Sequence, residues 1–221
     1  MTRIDFHSHT FLSDGELVPM EHVRRAKAAG HTAIVLSDHV GVDDAEWVLP
    51  RLVRECRIAS EEWNIHAIPG VEITHVPIRT MERAVKSARK AGAVVVVVHG
   101  ETPVEPVLKG TNAAAVRTRG VDVLAHPGFL TAKDAAAAKD NGVFIEITGR
   151  RGHSLCNGHV AQTGLAAGAS FVIDSDAHAP TDFLTIEKAR DVGAGAGLKG
   201  KVLDMALREW PREILKRHGI L

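Results

Sequence analysis

Short apolar runs recur along the chain, separated by longer stretches whose apolar residues fall at helical spacing. The runs predict strands near 3–6, 32–37, 65–72, 93–98, 121–125, 143–147 and 170–174. The intervening periodicity predicts helices near 18–29, 43–63, 78–91, 103–118, 131–141, 154–167 and 183–192. Ala93 to Val98 is apolar at every position, which suits a strand covered on both faces and therefore a parallel sheet of βα units. Gly30, Gly92, Gly120, Gly142 and Gly168 each follow a helical stretch and precede a strand, where a helix C-terminus calls for positive φ. Seven such units predict an α/β fold, a distorted seven-stranded TIM-like barrel. Beyond Gly193 to Gly200, the residues Val202, Met205, Ala206 and Trp210 lie at helical spacing and Pro211 opens a last turn. The segment 200–221 is thus expected to be helical and to pack on the barrel. No linker or composition shift divides the chain, so one domain over 1–221 is expected.

Composition narrows the partners. Of 221 residues, 45% are hydrophobic and 24% charged, and 27 Lys and Arg balance 27 Asp and Glu, leaving no basic field for nucleic acid or for a membrane surface. The longest largely apolar stretch, Ala91 to Val98, is far shorter than the roughly 18–20 residues a membrane span needs. A first strand beginning at residue 3 or 4 leaves no room for a secretory leader. Cys56 and Cys156 make no disulfide scaffold and fit a reducing cytoplasm, where we expect the protein to reside.

Candidate chemistry begins in the first strand. In Ile4-Asp5-Phe6-His7-Ser8-His9-Thr10, residues i and i+2 of an extended segment face the same way, so both imidazoles can reach one metal ion. Further acids and histidines stand just past later apolar runs: Asp38-His39, Glu72 in Gly70-Val71-Glu72, His99, His126, and Asp174-Ser175-Asp176-Ala177-His178. The strand ends of a parallel barrel converge on one face, where such distant residues meet.

These motifs resemble the PHP (polymerase and histidinol phosphatase) domain family, whose members are distorted seven-stranded βα barrels holding up to three metals. His7-Ser8-His9-Thr10 with Ser13-Asp14-Gly15, Asp38-His39, Gly70-Val71-Glu72, His99, His126-Pro127-Gly128 and Ser175-Asp176-Ala177-His178 look like its successive motifs. The resemblance implies one metal held by His7, His9, Glu72 and Asp176, and a second by Glu72, His99 and His126. A third would use Asp14, His39 and His178. Two or three divalent ions are expected, and mixed nitrogen and oxygen ligation suits zinc, manganese or iron. The amidohydrolase class also places His-x-His after the first barrel strand, but its bridging group is typically a modified lysine where Glu72 stands here. A non-catalytic barrel, binding protein or RNA as in a polymerase or ribonuclease P subunit, would tolerate lost ligands, and all nine are present.

Charge then suggests the substrate. Three divalent ions bring about six positive charges against three carboxylates, Asp14, Glu72 and Asp176, and the excess calls for an anion. We therefore expect a phosphoesterase, acting on a small phosphorylated metabolite and more suited to monoesters than diesters, with a hydroxide between the Glu72-bridged metals as nucleophile. Glu72 and Asp176 would serve catalysis as ligands, with no phospho-enzyme required. Arg150, ahead of Arg151, is a candidate to grip phosphate, the alternative being a surface arginine pair. His153 and His159, with Asn157 between them, either line the pocket and supply a proton or surround a helix start. His75 is a candidate to face the pocket. Glu101 is either a ligand-orienting residue or a loop acid, and Asp174 lies near the expected cluster. His22, His31, His66 and His218 are expected at the opposite end, solvent-facing or capping. Asp5 is expected to hydrogen-bond locally. Cys156 lacks a general base, and Cys56 reads as helix packing.

Overall fold

The computed structural model describes residues 3–221 as a parallel sheet curled into a nearly closed barrel with helices outside it. The strands are β1 (Arg3–Asp5), β2 (His31–Leu36), β3 (His39–Val40), β4 (His66–Ile73), β5 (Val95–His99), β6 (Val123–Ala125), β7 (Phe144–Thr148) and β8 (Phe171–Asp174). Neighbours run in the order β1-β2-β4-β5-β6-β7-β8, every pair parallel. The two-residue β3 was not expected as a separate strand. It continues β2: Leu36 faces Pro69 and His39 faces Glu72, so the register is unchanged across Ser37-Asp38. Across the break Ser37 N–H donates to the Ser8 carbonyl at 2.8 Å and the Asp38 carbonyl accepts from Glu72 N–H at 3.1 Å.

The β1/β8 seam closes differently from the other strand pairs. Near its top Ser8 pairs with Ala177, His9 N–H donates to Ala177 O (2.8 Å), and Asp176 N–H donates to His7 O (2.9 Å). Below this, two carboxylates substitute for ladder bonds: Phe6 N–H donates to Asp174 Oδ1 at 2.9 Å and Ser175 N–H to Asp5 Oδ1 at 3.1 Å. Asp5 therefore reaches across the seam and is not confined to local bonds.

Two apolar clusters hold the fold. One takes Ala33, Val35, Ile68, Val95, Val97, Val123, Phe144 and Val172 from alternate strand positions, and Ile214 and Leu215 join it. The other fills the space between sheet and helices with Ile34, Leu36, Leu49, Leu52, Val96, Val98, Ile145 and Ile173. Each such fully buried side chain contributes roughly 1.5–3 kcal/mol of transfer free energy. Along the inward rows the residue changes toward the C-terminal strand ends, from Ile68 to Glu72, Val97 to His99, Phe144 to Glu146 and Val172 to Asp174. The core thus gives way to a polar chamber at that end.

The outer helices are α1 (Pro19–Ala28), α2 (Ala45–Trp63), α3 (Met81–Ala91), α4 (Thr111–Ala115), α5 (Ala132–Asn141), α6 (Asn157–Ala167), α7 (Ile186–Gly195), α8 (Gly200–Asp204) and α9 (Trp210–Arg217). Short 3-10 turns at Ile78–Thr80 and His153–Cys156 precede α3 and α6, and a π turn over Met205–Glu209 joins α8 to α9. The five glycines expected to end helices all have positive φ. The helix expected over 103–118 shrinks to Thr111–Ala115, because Pro103 and Pro106 keep the preceding residues irregular. The expected tail helices form, with Trp210 against Phe171 and Ile214 and Leu215 buried. The domain expected over 1–221 includes Met1 and Thr2, which lie outside the described residues. Among the described residues, no helix is long and apolar enough to cross a membrane.

Candidate metal centre

All nine candidate ligands converge on the polar end of the barrel. His7 and His9 follow β1, Asp14 lies in the next loop, His39 starts β3, Glu72 is in β4 and His99 ends β5. His126 follows β6, and Asp176 and His178 follow β8. Neither His126 (φ 26°) nor Asp176 (φ 52°) is a glycine, yet both backbones sit in the left-handed region, a strain that persists only where surroundings over-determine it. Gly128 fixes the turn after His126: its φ is +61°, and a Cβ there would lie 1.9 Å from the Glu101 carbonyl oxygen.

Glu72 is the centre of the arrangement. It is fully buried, with His39 Nδ1 2.9 Å, His7 Nε2 3.4 Å and His9 Nε2 3.6 Å from Oε2, and His126 Nε2 3.4 Å from Oε1. Asp176 Oδ1 lies 3.3 Å from His9 Nε2 and 3.6 Å from His7 Nε2. Toward the open side, Asp14 Oδ2 stands 3.2 Å from His178 Nε2 and 3.5 Å from His39 Nε2, with Oδ1 3.9 Å from His9 Nδ1. The first and third expected sets are therefore brought together. Of the second, His126 Nε2 meets Glu72, the His99 ring stands 4.5 Å from that of His126, and His99 Nε2 also lies 3.1 Å from Glu105.

Surrounding acids orient these ligands. His7 Nδ1–H donates to Glu146 Oε1 at 2.7 Å, and Glu146 Oε2 accepts the His126 backbone N–H at 2.7 Å. Such bonds fix which ring nitrogen is free for a metal. Asp38 accepts from Thr10 N–H (2.8 Å), Thr10 Oγ1 (2.8 Å) and Ser13 Oγ (2.6 Å), and so holds the loop that carries Asp14. Asp182 Oδ2 accepts the N–H groups of His178 and Ala179 and a bond from Arg150 Nη1 at 3.2 Å, setting the last loop. Asp174 also lies beside the cluster; burial, with Asp5 and Glu146 nearby, pushes its carboxyl well up.

The electrostatics favour cations. Burial alone would raise the Glu72 carboxyl, but His7, His99 and His39 outweigh it and hold it well below the usual range. Asp176 is likewise lowered against its burial, chiefly by His7 and His9. Burial opposes protonation of His39, yet Glu72 and Asp14 raise it to about 10. Burial pushes His9 the other way, down to about 3. His7 Nε2, both His9 nitrogens, His126 Nδ1 and both Glu72 oxygens are buried without a hydrogen-bond partner. Buried polar atoms are normally paired, and this many orphans of ligand type in one chamber fit metal coordination. Among the described residues, five groupings with mutually close ligand atoms arise: His9, Asp14, His39 and His178; His7, Glu72 and His126; His7, His9 and Asp176; His75, His99 and Glu105; and His126, His153 and Asp176.

Other candidates separate. Arg150 borders both the 60 Å³ chamber among these ligands and a 440 Å³ cleft lined by Arg151, Thr181, Asp182 and Leu184. His153 faces the chamber, its ring 4.3 Å from His126 and its Nε2 3.3 Å from Glu105 Oε1. His159 bonds to the Leu130 carbonyl at 2.8 Å and meets the Phe129 ring edge-on, away from the ligands. Asn157 pairs with both backbone groups of Thr148, finishing β7. Glu101 accepts the N–H groups of Gly110 and Asn112 and is a loop acid. Cys56 and Cys156 are both buried. His22 and His31, expected to face solvent or cap, are buried against Phe183, because the residues preceding α7 fold over them and Leu184 O accepts from His31. His66 is exposed as expected, while His218 is partly buried on Asp122. Sequence reasoning passed over Glu146 and Glu105. The first was marked by an acid inside an otherwise apolar strand, the second by an acid held between two prolines.

Comparison with known proteins agrees with this geometry. The profile of the PHP domain matches residues 5–152. An uncharacterised protein of Methanocaldococcus jannaschii is 46% identical over 220 residues, 97% of this chain and 99% of its own. A 5′-3′ exoribonuclease of Haemophilus influenzae is 40% identical over 75 residues, 33% of this chain and 23% of that protein. Among solved structures, a chain from archaeal ribonuclease P with mature tRNA aligns with a TM-score of 0.73 at 18% identity, covering 98% of this chain and 91% of that one. A two-domain protein of Bacteroides vulgatus containing a predicted PHP-like metal-dependent phosphoesterase gives 0.52 at 19%, covering 95% and 63%. A zinc-bound amidohydrolase of Burkholderia ambifaria gives 0.53 at 14%, covering 91% and 72%. At these identities the solved structures share the fold alone.

Proposed function

We propose a metal-dependent phosphoesterase, from the premise that this chain belongs to the PHP domain family. Family membership and the cation-seeking cluster support a metal-dependent hydrolase; the phosphate ester, and a small metabolite as its carrier, are our reading. The observation that carries it is Glu72, a buried carboxylate with no hydrogen bond to either oxygen and four imidazoles within 3.6 Å. His7, His9, Glu72 and Asp176 would hold one ion, Glu72, His99 and His126 would share in a second, and Asp14, His39 and His178 would hold a third. Bound divalent ions lower the pKa of water and offset the charge of a phosphoryl group.

The chain's own residues supply the rest. Arg150, steadied by Asp182, presents a guanidinium between the small chamber and the larger cleft, where it can grip a phosphoryl oxygen by charge-assisted bonds. The reacting group and the leaving group thus have separate compartments, of 60 and 440 Å³, which suits a small monoester better than a diester. Burial, then the facing His126, pushes His153 down to about 4, so at neutral pH it begins uncharged and orients the substrate as an acceptor. We assign His159 no proton-transfer role, since its ring is committed to Leu130. The reading takes the barrel as one catalytic unit needing neither nucleic acid nor membrane.

The test is a substrate screen. Protein stripped of metal and reloaded with zinc, manganese or ferrous iron is assayed on phosphomonoesters, linear and cyclic phosphodiesters, and a matched set of amides. Turnover of monoesters by the loaded protein alone is expected. A protein that takes up metal and hydrolyses no phosphate ester refutes the proposal.

A further inference from the structure

One oxygen of Asp182 serves two parts of the site. Its Oδ2 accepts the backbone N–H of His178 at 3.0 Å and of Ala179 at 2.8 Å, and it also accepts from Arg150 Nη1 at 3.2 Å. His178 belongs to the loop after β8 and to the group of close ligand atoms formed with His9, Asp14 and His39. Arg150 belongs to the loop after β7 and borders both the ligand chamber and the larger cleft. A single carboxylate oxygen therefore joins a candidate ligand of the outer ion to the candidate phosphate grip. The pair with Arg150 is 30% exposed on each side and rests on one bond, so it adds little to stability. What it fixes is the direction of the guanidinium.

The carboxylate is itself held from both sides. Asp182 N–H donates to the Ala179 carbonyl at 3.0 Å, which closes a tight turn. One residue on, the Phe183 ring meets His22 edge-on at 4.7 Å, and the Leu184 carbonyl accepts from His31 Nε2 at 2.9 Å. On the ligand side, His178 Nδ1 lies 3.0 Å from the Asp176 carbonyl, which turns Nε2 toward Asp14 Oδ2 at 3.2 Å. The His178 carbonyl accepts from Glu16 N–H at 2.7 Å. The same turn walls the larger cleft through Thr181, Asp182 and Leu184. Moving His178 thus moves the oxygen on which Arg150 rests.

We propose that Asp182 is a positioning residue that couples the outer ion site to the phosphate grip, so that a cation on His178 and a phosphate on Arg150 strengthen each other's binding. Whichever binds first orders the turn, and the second then binds to a site already ordered. Such coupling is reciprocal: the factor by which phosphate tightens the ion equals the factor by which the ion tightens phosphate. The inference rests on the roles given above to His178 and Arg150. A plain counter-charge would act with the opposite sign. Asp182 would then offset Arg150 and repel phosphate, and its removal would tighten phosphate binding.

The experiment compares wild type, D182A and D182N. All three donors meet the same oxygen, so an asparagine with its amide oxygen in that place keeps the bonds without the charge, whereas alanine loses both. Stripped proteins are titrated with zinc against a chromogenic chelator, with and without inorganic phosphate, and zinc-loaded proteins are titrated with phosphate by calorimetry. D182A should bind the weakest zinc and phosphate each about fivefold or more less tightly, and the tightening of zinc by phosphate should shrink by a similar factor. D182N should recover most of each loss. In an H178N background D182A should cost no further zinc affinity. Thermal melts of the metal-free proteins check folding, and D182S, whose hydroxyl still serves the turn, replaces D182A if the latter is unfolded. Unchanged zinc affinity in the alanine variant, phosphate bound as tightly as in wild type or more so, or an asparagine variant as impaired as alanine overturns this assignment and leaves the phosphoesterase reading standing. A loaded wild type that neither binds phosphate nor hydrolyses a phosphate ester overturns both.

Discussion

Glu146 offers a test of the centre that leaves every candidate ligand in place. Its carboxylate accepts two bonds of 2.7 Å, one from His7 Nδ1–H and one from the His126 backbone N–H. In E146Q one of the two positions becomes an amide NH₂, so one buried donor faces another. An unsatisfied buried donor costs about 1–3 kcal/mol, and losing the acid behind a ligating histidine typically weakens metal binding about 10–100-fold, or roughly 1.4–2.7 kcal/mol. A second effect opposes this in the metal-free protein. Glu146 and Asp5 both push the Asp174 carboxyl up, so neutralising Glu146 relieves repulsion among three buried acids. The metal-free melting temperature should therefore change little, while the affinity for zinc falls 10–100-fold. The rise in melting temperature on adding zinc should shrink accordingly, and activity should return at saturating metal. Chelator competition and paired thermal melts measure these quantities. If E146Q binds zinc as tightly as wild type, or loses stability equally with and without metal, Glu146 does not orient the ligands.

Further outcomes follow from the same geometry. R150A should lower kcat/KM about 10–100-fold, the loss expected for a charge-assisted bond of about 1.5–3 kcal/mol, with metal content unchanged; a variant at wild-type efficiency removes Arg150 from the site. G128A should destabilise by about 1–3 kcal/mol or more, since a methyl group there meets the Glu101 carbonyl and φ is +61°; an unaltered urea midpoint contradicts the geometry. Stability should also fall in acid. Burial pushes His22 down to about 3 and His31 to about 4, whereas both titrate near 6.5 when unfolded. Their contribution is complete above pH 6.5 and is lost as pH falls toward 4, amounting to roughly 2 kcal/mol each at pH 5. Urea unfolding of wild type and H22L between pH 4.5 and 7 checks this, and an identical pH slope in the variant rejects it.

The strands and the candidate ligands were readable in the sequence for the same reason. A parallel barrel covered on both faces makes its strands apolar throughout, so an acid or histidine at a strand end stands out against the run before it, as His99 does after Val95 to Val98. What escaped were features set by contacts between distant segments. His22 and His31 look like surface residues until Phe183 and Leu184 cover them. Glu105 lies where helical periodicity seemed to continue, and two prolines overrode that pattern.

The seam between the first and last strands has a consequence for assembly. Its ladder bonds are few and two carboxylates stand in for the missing ones, while His7 and His9 lie on one side and Asp176 and His178 on the other. During synthesis the first imidazoles leave the ribosome some 170 residues ahead of the acid that completes their set. A cation captured there would therefore act as a clasp that snaps shut late, rewarding only those chains whose eight strands have already lined up.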